Sequence, residues 1–494
     1  MYFRYLIILF SFIFFVDAEI SWAKKNILMI LVDDLKPAIG CYGDKLAITP
    51  NIDELASRGV KFKKAYCNQA VCAPSRNNLL LGARSTSLGI YGLGTPFRKA
   101  YPEAISLPQH FRNHGYTAEA VGKILHFGHG NTGDPASWSR PPVREKVVEY
   151  LKPESTGGGQ LTREEAYFSN QKLGNIRSLP KGAAWEFADV QDDAYADDRI
   201  AKEGIKRLET AAKNPDKPFF LALGFVKPHL PFTAPKKYWD MHNPSKFELS
   251  PFQNHPAGAP SYAGKRGGEI VNYSPLSVEN LKTDKIQRTL LHGYYATTTY
   301  TDAQIGKVTK ALDNLGLSKS TIIVLWGDHG WHLGDHGYWT KHTNYEQSNR
   351  IPLLFVAPGI AQKGAATSQL AETVDIYPTL AELAGLPKPD GPQPMDGKSL
   401  LPVLKNPKKS IGDHVYHCFP RRNKMGRAIR TQRFRLVQWY NMKNPTLEPE
   451  YELYDYQSDP MERVNIASSK PQAFNRLLNI LKKHPLPKKW YRAH

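Results

Sequence analysis

The stretch Lys24–Leu35, KKNILMILVDDL, decides how the chain is read. Between the lysines and the aspartates lies a short apolar run with no polar alternation. Such a run suits a strand buried on both faces of a parallel sheet. It ends in two carboxylates, Asp33 and Asp34. Residues 217–229 (KPFFLALGFVKPH), 321–330 (TIIVLWGDHG) and 351–359 (IPLLFVAPG) follow the same grammar. Helical segments lie between them. In TPNIDELASRGVKF, Thr49 is placed to cap, Pro50 opens the first turn and Gly59 marks the end. SLPQHFRNHGYTAEAVGK reads as helix, stop at Gly115, then strand, and VDIYPTLAELAG as a helix closed by Gly385. Buried strands alternating with helices predict an α/β domain with a large, mostly parallel central sheet.

In such sheets ligands bind beyond the carboxyl ends of the strands. Asp33 and Asp34, Lys123 and His126, His229, and Asp328 with His329 all follow strand ends, so a parallel sheet would gather them at one edge. Three carboxylates in one place do not all stay ionised without a cation. Hard oxygen donors favour Ca²⁺ or Mg²⁺ over zinc. A cation beside Arg76, Lys123 and Lys341 would bind a tetrahedral oxyanion and offset charge on a group in transfer. The expected reaction is therefore transfer of a phosphoryl or sulfuryl group to water. Asp53, alone on its helix, reads as a cap or a solvated loop residue.

Residues 1–23 (MYFRYLIILFSFIFFVDAEISWA) have a basic start, an apolar run and small residues near Ala18 and Ala23, the pattern of a cleavable signal peptide. Export is expected, to a periplasm or outside the cell, or to a lysosome-type compartment in a eukaryote. The four cysteines do not form a disulfide framework by spacing, although one or two bridges are compatible with an exported chain. The formal charge is +19, and residues 401–494 hold 19 Lys/Arg against 7 Asp/Glu. That excess suits an anionic partner.

Residues 134–190 carry no clean period and read as a loop-rich insertion in a catalytic domain spanning 24–399. After the linker-like PKPDGPQPMDG, the segments DHVYHCF, GRAIRTQRFRLVQW and YELYDY alternate as antiparallel strands. QAFNRLLNILKKH reads as a closing helix, giving a smaller C-terminal α+β domain over 400–494.

Residues 72–76, CAPSR, match the Cys-x-Pro-x-Arg signature, and LLLGARS extends the match. With NILMILVDDLKPAIGCYGDKLAITPNIDELA, VGKILH, KPHLPF, WGDHGWHLGDHGYWTK and YELYDYQSDPMERVNIA, the chain resembles the type I sulfatases from about residue 25 onward, most closely the iduronate-2-sulfatase branch. The resemblance implies an alkaline-phosphatase-like sandwich and oxidation of Cys72 to formylglycine during export. One hydroxyl of the hydrated aldehyde would attack sulfur; the other would then lose its proton and expel sulfate by elimination. Asp33, Asp34, Asp328, His329 and an oxygen on modified residue 72 would hold Ca²⁺, or Mg²⁺. Arg76 would orient the hydrate, Lys123 and Lys341 would bind sulfate oxygens, His126 would take the proton during elimination, and His229 would assist the leaving alcohol. His332 and His336 would either line the pocket or fix its loop. The implied partners are a sulfated oligo- or polysaccharide and a formylglycine-generating or anaerobic sulfatase-maturing enzyme, with no nucleic acid and no stable membrane insertion. His342 stands where the branch typically has an aromatic that helps hold the sugar carboxylate, so the resemblance leaves the sugar open, uronic or galactose-based, from marine or host glycans. Two alternatives remain at this stage: a phosphate or phosphonate monoester hydrolase on the same scaffold, and a non-catalytic polyanion-binding protein.

Overall fold

The computed structural model describes residues 24–171 and 175–491. The expected signal peptide, residues 1–23, lies outside them. Seven strands form the path of the central sheet: β1 (Asn26–Val32), β2 (Val60–Tyr66), β3 (Thr117–Gly122), β4 (Phe219–Phe225), β5 (Thr321–Gly327), β6 (Leu353–Val356) and β7 (Ala365–Glu372). Their spatial order is β7-β2-β6-β5-β1-β4-β3, and the short strand Arg350–Ile351 joins β2. All neighbours are parallel except β6, which runs against both β2 and β5, as does Arg350–Ile351 against β2. The apolar run at 351–359 had given no sign of this reversal, because a strand's composition carries no direction.

Strand β1 is central, and its side chains alternate between two cores. Ile27, Met29 and Leu31 join Leu79, Phe111 and Leu380, from α2 (Cys72–Leu81), α3 (Leu107–Asn113) and α6 (Ile376–Leu383). Leu28, Ile30 and Val32 join Leu55, Ile200, Leu208 and Val308, from α1 (Pro50–Ser57), α4 (Ala196–Ala212) and α5 (Asp284–Asn314). Burying each such side chain contributes about 1.5–3 kcal/mol, so truncating Leu31 to Ala should cost about 2–5 kcal/mol.

Thr49 does not cap α1 through its side chain. Its hydroxyl accepts from the Gly40 amide at 2.9 Å, and Asp53 accepts from the Cys41 amide at 2.6 Å, so both pin the preceding turn. None of the four cysteines is paired in a disulfide. The C-terminal part builds an antiparallel meander, β8 (His414–Arg421), β9 (Lys424–Thr431), β10 (Phe434–Asn441) and β11 (Glu450–Asp455). Helix α7 (Pro471–Lys482) covers it by packing Leu477 and Leu481 on Ile429, Leu436 and Leu453. Among the described residues no helix is long and apolar enough to cross a membrane.

Candidate active site

The parallel register sets the site. Val32 lies level with Phe225 and Gly327, so β1, β4 and β5 end together and deliver Asp33, His229 and Asp328 to one edge. Asp34 has a left-handed backbone, φ 58°, unusual for a residue with a side chain. Its amide donates to Asp328 Oδ1 at 2.9 Å, and its carbonyl accepts from the Tyr294 hydroxyl of α5 at 2.9 Å. These bonds turn its carboxylate back into the site. Cys72 is the first residue of α2 and is 2% exposed. Its Sγ lies 3.2 Å from His329 Nε2 and 4.0 Å from Asp34 Oδ1.

Arg76, one turn along α2, is wholly buried. It reaches Asp33 at 2.8 Å and Asp328 at 3.0 Å. Lys123 also pairs with Asp33, and Lys341 holds Asp34 at 2.9 Å. Burial alone would raise the Asp33 pKa, yet Lys123 and Arg76 keep it well below the carboxylate range. Asp328 goes the other way: burial and the neighbouring Asp33 push it well above. Burial also raises the Cys72 thiol well above its ordinary value, and a protonated thiol is a poor nucleophile. His126 is kept neutral by burial and by Lys123, and no described group bonds its Nδ1.

One ligand atom from each of Asp33, Cys72, Asp328 and His329 falls within 4.8 Å of the others, and the same holds for Asp33, Asp34, Cys72 and His229. Buried carboxylates crowded until one is forced towards its acid form are a donor set that a hard divalent cation would relieve. The residues present therefore fit a metal.

Cys72, His126, His229 and Lys341 open into a cavity of about 300 Å³. Its remaining wall includes groups the sequence reading passed over. His129 stands 3.0 Å from His126 Nε2, a neighbour that the three-residue spacing could have flagged. Glu164, Tyr167 and Phe168 come from a short helix in the 134–190 segment. Glu269 reaches Lys341 at 2.9 Å and His229 at 3.3 Å from a stretch without periodicity. His332 and His336 do not line this wall. They bond Thr343 Oγ1 and the Met461 carbonyl and so fix the loop between β5 and Lys341.

The sulfatase family model matches residues 25–386, and the model described as N-sulphoglucosamine sulphohydrolase, C-terminal, matches residues 334–485. With most of the chain matched and the signature cysteine at the carboxyl edge of an α/β sheet, this protein belongs to the sulfatase family and is a sulfate-ester hydrolase. Within that family it is similar to iduronate 2-sulfatase of Mus musculus, with 33% identity covering 89% of this chain and 90% of that protein. Its fold matches the solved structure of a protein in complex with its substrate D-glucosamine-2-N,6-O-disulfate. There the TM-score is 0.72 at 23% identity, covering 93% and 97% of the two chains. The phosphonate monoester hydrolase of Agrobacterium radiobacter shares the fold with a TM-score of 0.70 at 21% identity, covering 93% and 95%.

Proposed function

We propose that this protein is an exported sulfatase that removes sulfate from an anionic sulfated sugar, with residue 72 in the formylglycine form and Ca²⁺ or Mg²⁺ held by Asp33, Asp34, Asp328 and His329. One observation carries the reading: the buried residue 72 sits at the start of α2, enclosed by acidic ligands on one side and by Lys and His on the other. A hydrated aldehyde there supplies an oxygen nucleophile and a second hydroxyl for release by elimination. A bound divalent cation supplies charge neutralisation for the sulfuryl oxygens.

The chain's own groups supply the rest. Arg76 keeps its charge at any working pH and fixes Asp33 and Asp328. Lys123 and Lys341 offer ammonium protons to sulfate oxygens. His126, neutral in its buried position, can accept a proton at its open Nδ1. His229 presents only Nε2 to the cavity, because its Nδ1 lies 2.5 Å from the Leu230 carbonyl. That nitrogen is placed to protonate the leaving oxygen.

The outer wall supports an acidic sugar as substrate. Lys265 lines the cavity 3.3 Å from His342 Nδ1, and Arg421, next to the lining, donates to the His342 carbonyl. Among the described residues neither cation has an ion pair with a carboxylate, and burial lowers the Arg421 pKa to about 10. Partly buried cations without counter-ions suit further anionic groups on a polysaccharide.

The test is sulfate release, followed by ion chromatography, from a panel of defined sulfated oligosaccharides and from a matched phosphate ester. Release from at least one anionic saccharide, faster than from the phosphate ester, is expected. A preference for phosphate by orders of magnitude would move the protein to the phosphohydrolase reading, and polyanion binding without hydrolysis to the non-catalytic one.

A further inference from the structure

Glu269 is an anion on a wall built to receive anions, and no step described so far uses it. It opens the turn Glu269–Asn272, and its carboxylate spans two groups assigned to the sulfate and the leaving alcohol. One oxygen lies 2.9 Å from Lys341 Nζ, the other 3.3 Å from His229 Nε2. Lys341 and His229 hold the carboxylate well below the ordinary glutamate range against the effect of burial. It therefore acts as an acceptor.

The His229 ring has little freedom. A carbonyl oxygen only accepts, so the bond to Leu230 fixes a hydrogen on Nδ1. The edge of the ring meets Phe168 at 5.6 Å between centroids and 89° between planes. Nε2 then faces a second pure acceptor, Glu269, and this arrangement places a hydrogen on that nitrogen also. A ring bonded in this way is oriented and loaded as a proton donor towards the cavity.

Building on the sulfatase reading, we infer that Glu269 is a positioning residue for protonation of the leaving alcohol. It keeps a proton on His229 Nε2 and the ring edge turned to the cavity, where the leaving oxygen replaces Glu269 as the acceptor of that proton, and it tethers Lys341 beside it. As a hydroxyl oxygen at residue 72 bonds to sulfur and gives up its proton to water, the sulfur–oxygen bond to the sugar breaks and its electron pair stays on the sugar oxygen. That oxygen takes the Nε2 proton. The imidazole is left neutral with Nδ1–H still on Leu230, and water restores the Nε2 proton.

Alkoxides need this proton far more than phenolates do. The experiment compares kcat and KM of Glu269→Ala, Glu269→Gln and Glu269→Asp on a sugar sulfate and on a nitrophenyl sulfate, with the thermal midpoint of each variant. Glu269→Ala and Glu269→Gln should lower kcat on the sugar ester by about 30-fold or more and on the aryl ester by less than about 3-fold, in the lower range for loss of acid catalysis. Glu269→Asp should recover most of the difference. Equal losses on the two esters, or a loss confined to KM, would overturn the role. Sulfate release from neither ester by the unsubstituted protein, with residue 72 confirmed as formylglycine, would overturn the sulfatase reading and this inference with it.

Discussion

Two regions of the molecule bury clusters of charge, and they are built to opposite ends. At the junction of the catalytic sheet with the C-terminal meander, the buried carboxylates are each met by an arginine or by neutral hydrogen-bond donors. Glu346 bonds Arg430 at 3.0 Å and the Tyr66 hydroxyl at 2.8 Å. Arg435 pairs with Glu462, and Glu452 accepts from Trp439 Nε1 and the Tyr454 hydroxyl, each at 2.6 Å. At the edge of the catalytic sheet the carboxylates face each other as well as their cations, Asp328 is pushed towards its acid form, and the cluster opens on a cavity. The first cluster closes on itself and supports architecture. The second is left short of positive charge at its centre, which suits an ion and an oxyanion arriving from outside.

The substitutions that separate the two regions most sharply lie in the open cluster. Cys72→Ala should lower sulfate release by about 10⁴-fold or more, since it deletes the nucleophile. Its thermal midpoint should stay within about 2 °C of the parent, because little packing is lost from a chain of this size. Turnover near the parent level would remove residue 72 from the chemistry. Arg76→Ala should combine a fall of about 10³-fold in kcat/KM with a destabilisation of about 3–5 kcal/mol, since Asp33 and Asp328 would be left buried without it. A denaturant titration showing an unchanged midpoint would mean that this arginine is not the clamp described here.

Removing divalent ions by chelation should cut activity by about tenfold or more and lower the thermal midpoint, both restored by Ca²⁺ or Mg²⁺. A midpoint indifferent to chelator would show that the carboxylates are balanced by Arg76, Lys123 and Lys341 alone. His229→Ala should cost about 10²-fold or more on sugar esters and much less on aryl esters. Loss of the same size on both would take His229 out of the leaving-group step.

The closed cluster provides the smallest expected effect on activity. Arg430 holds Glu346 at about 2, below its ordinary 4.5, although burial opposes this. A carboxylate depressed in the folded state stabilises fully above the unfolded value, and the contribution drains as pH falls from about 4.5 towards about 2. Glu346→Gln should therefore lower stability by about 2–3 kcal/mol at neutral pH, flatten that acid limb, and leave kcat/KM within about threefold. A larger catalytic loss would show that the two clusters are coupled.

The same contrast explains what the sequence revealed. Strand-end residues were legible because a buried strand forces its neighbours to be apolar, and the first charge after the run marks the sheet edge; Asp33, Lys123 and Asp328 announced themselves in this way, while His229 stands two residues past the first charge, Lys227. The residues around Cys72 carried the family likeness directly. Strand β7, AATSQLAE, was missed because its Thr, Ser and Gln conceal a strand that pairs with β2. Helix α5 was missed because its buried face is rich in Thr and Tyr rather than Leu and Ile. Glu269 and His129 act through contacts made across the cavity. The three-residue spacing from His126 hints at His129, whereas nothing in the local sequence around Glu269 identifies its partners.

The central claim is that hydrolysis depends on an aldehyde-derived oxygen at residue 72 within this acidic pocket. Mass spectrometry of the tryptic peptide Ala65–Arg76 from active protein tests it directly. Formylglycine or its hydrate at residue 72, in a proportion that tracks specific activity across preparations, is the predicted result. Full activity in protein whose residue 72 is entirely the thiol would contradict it.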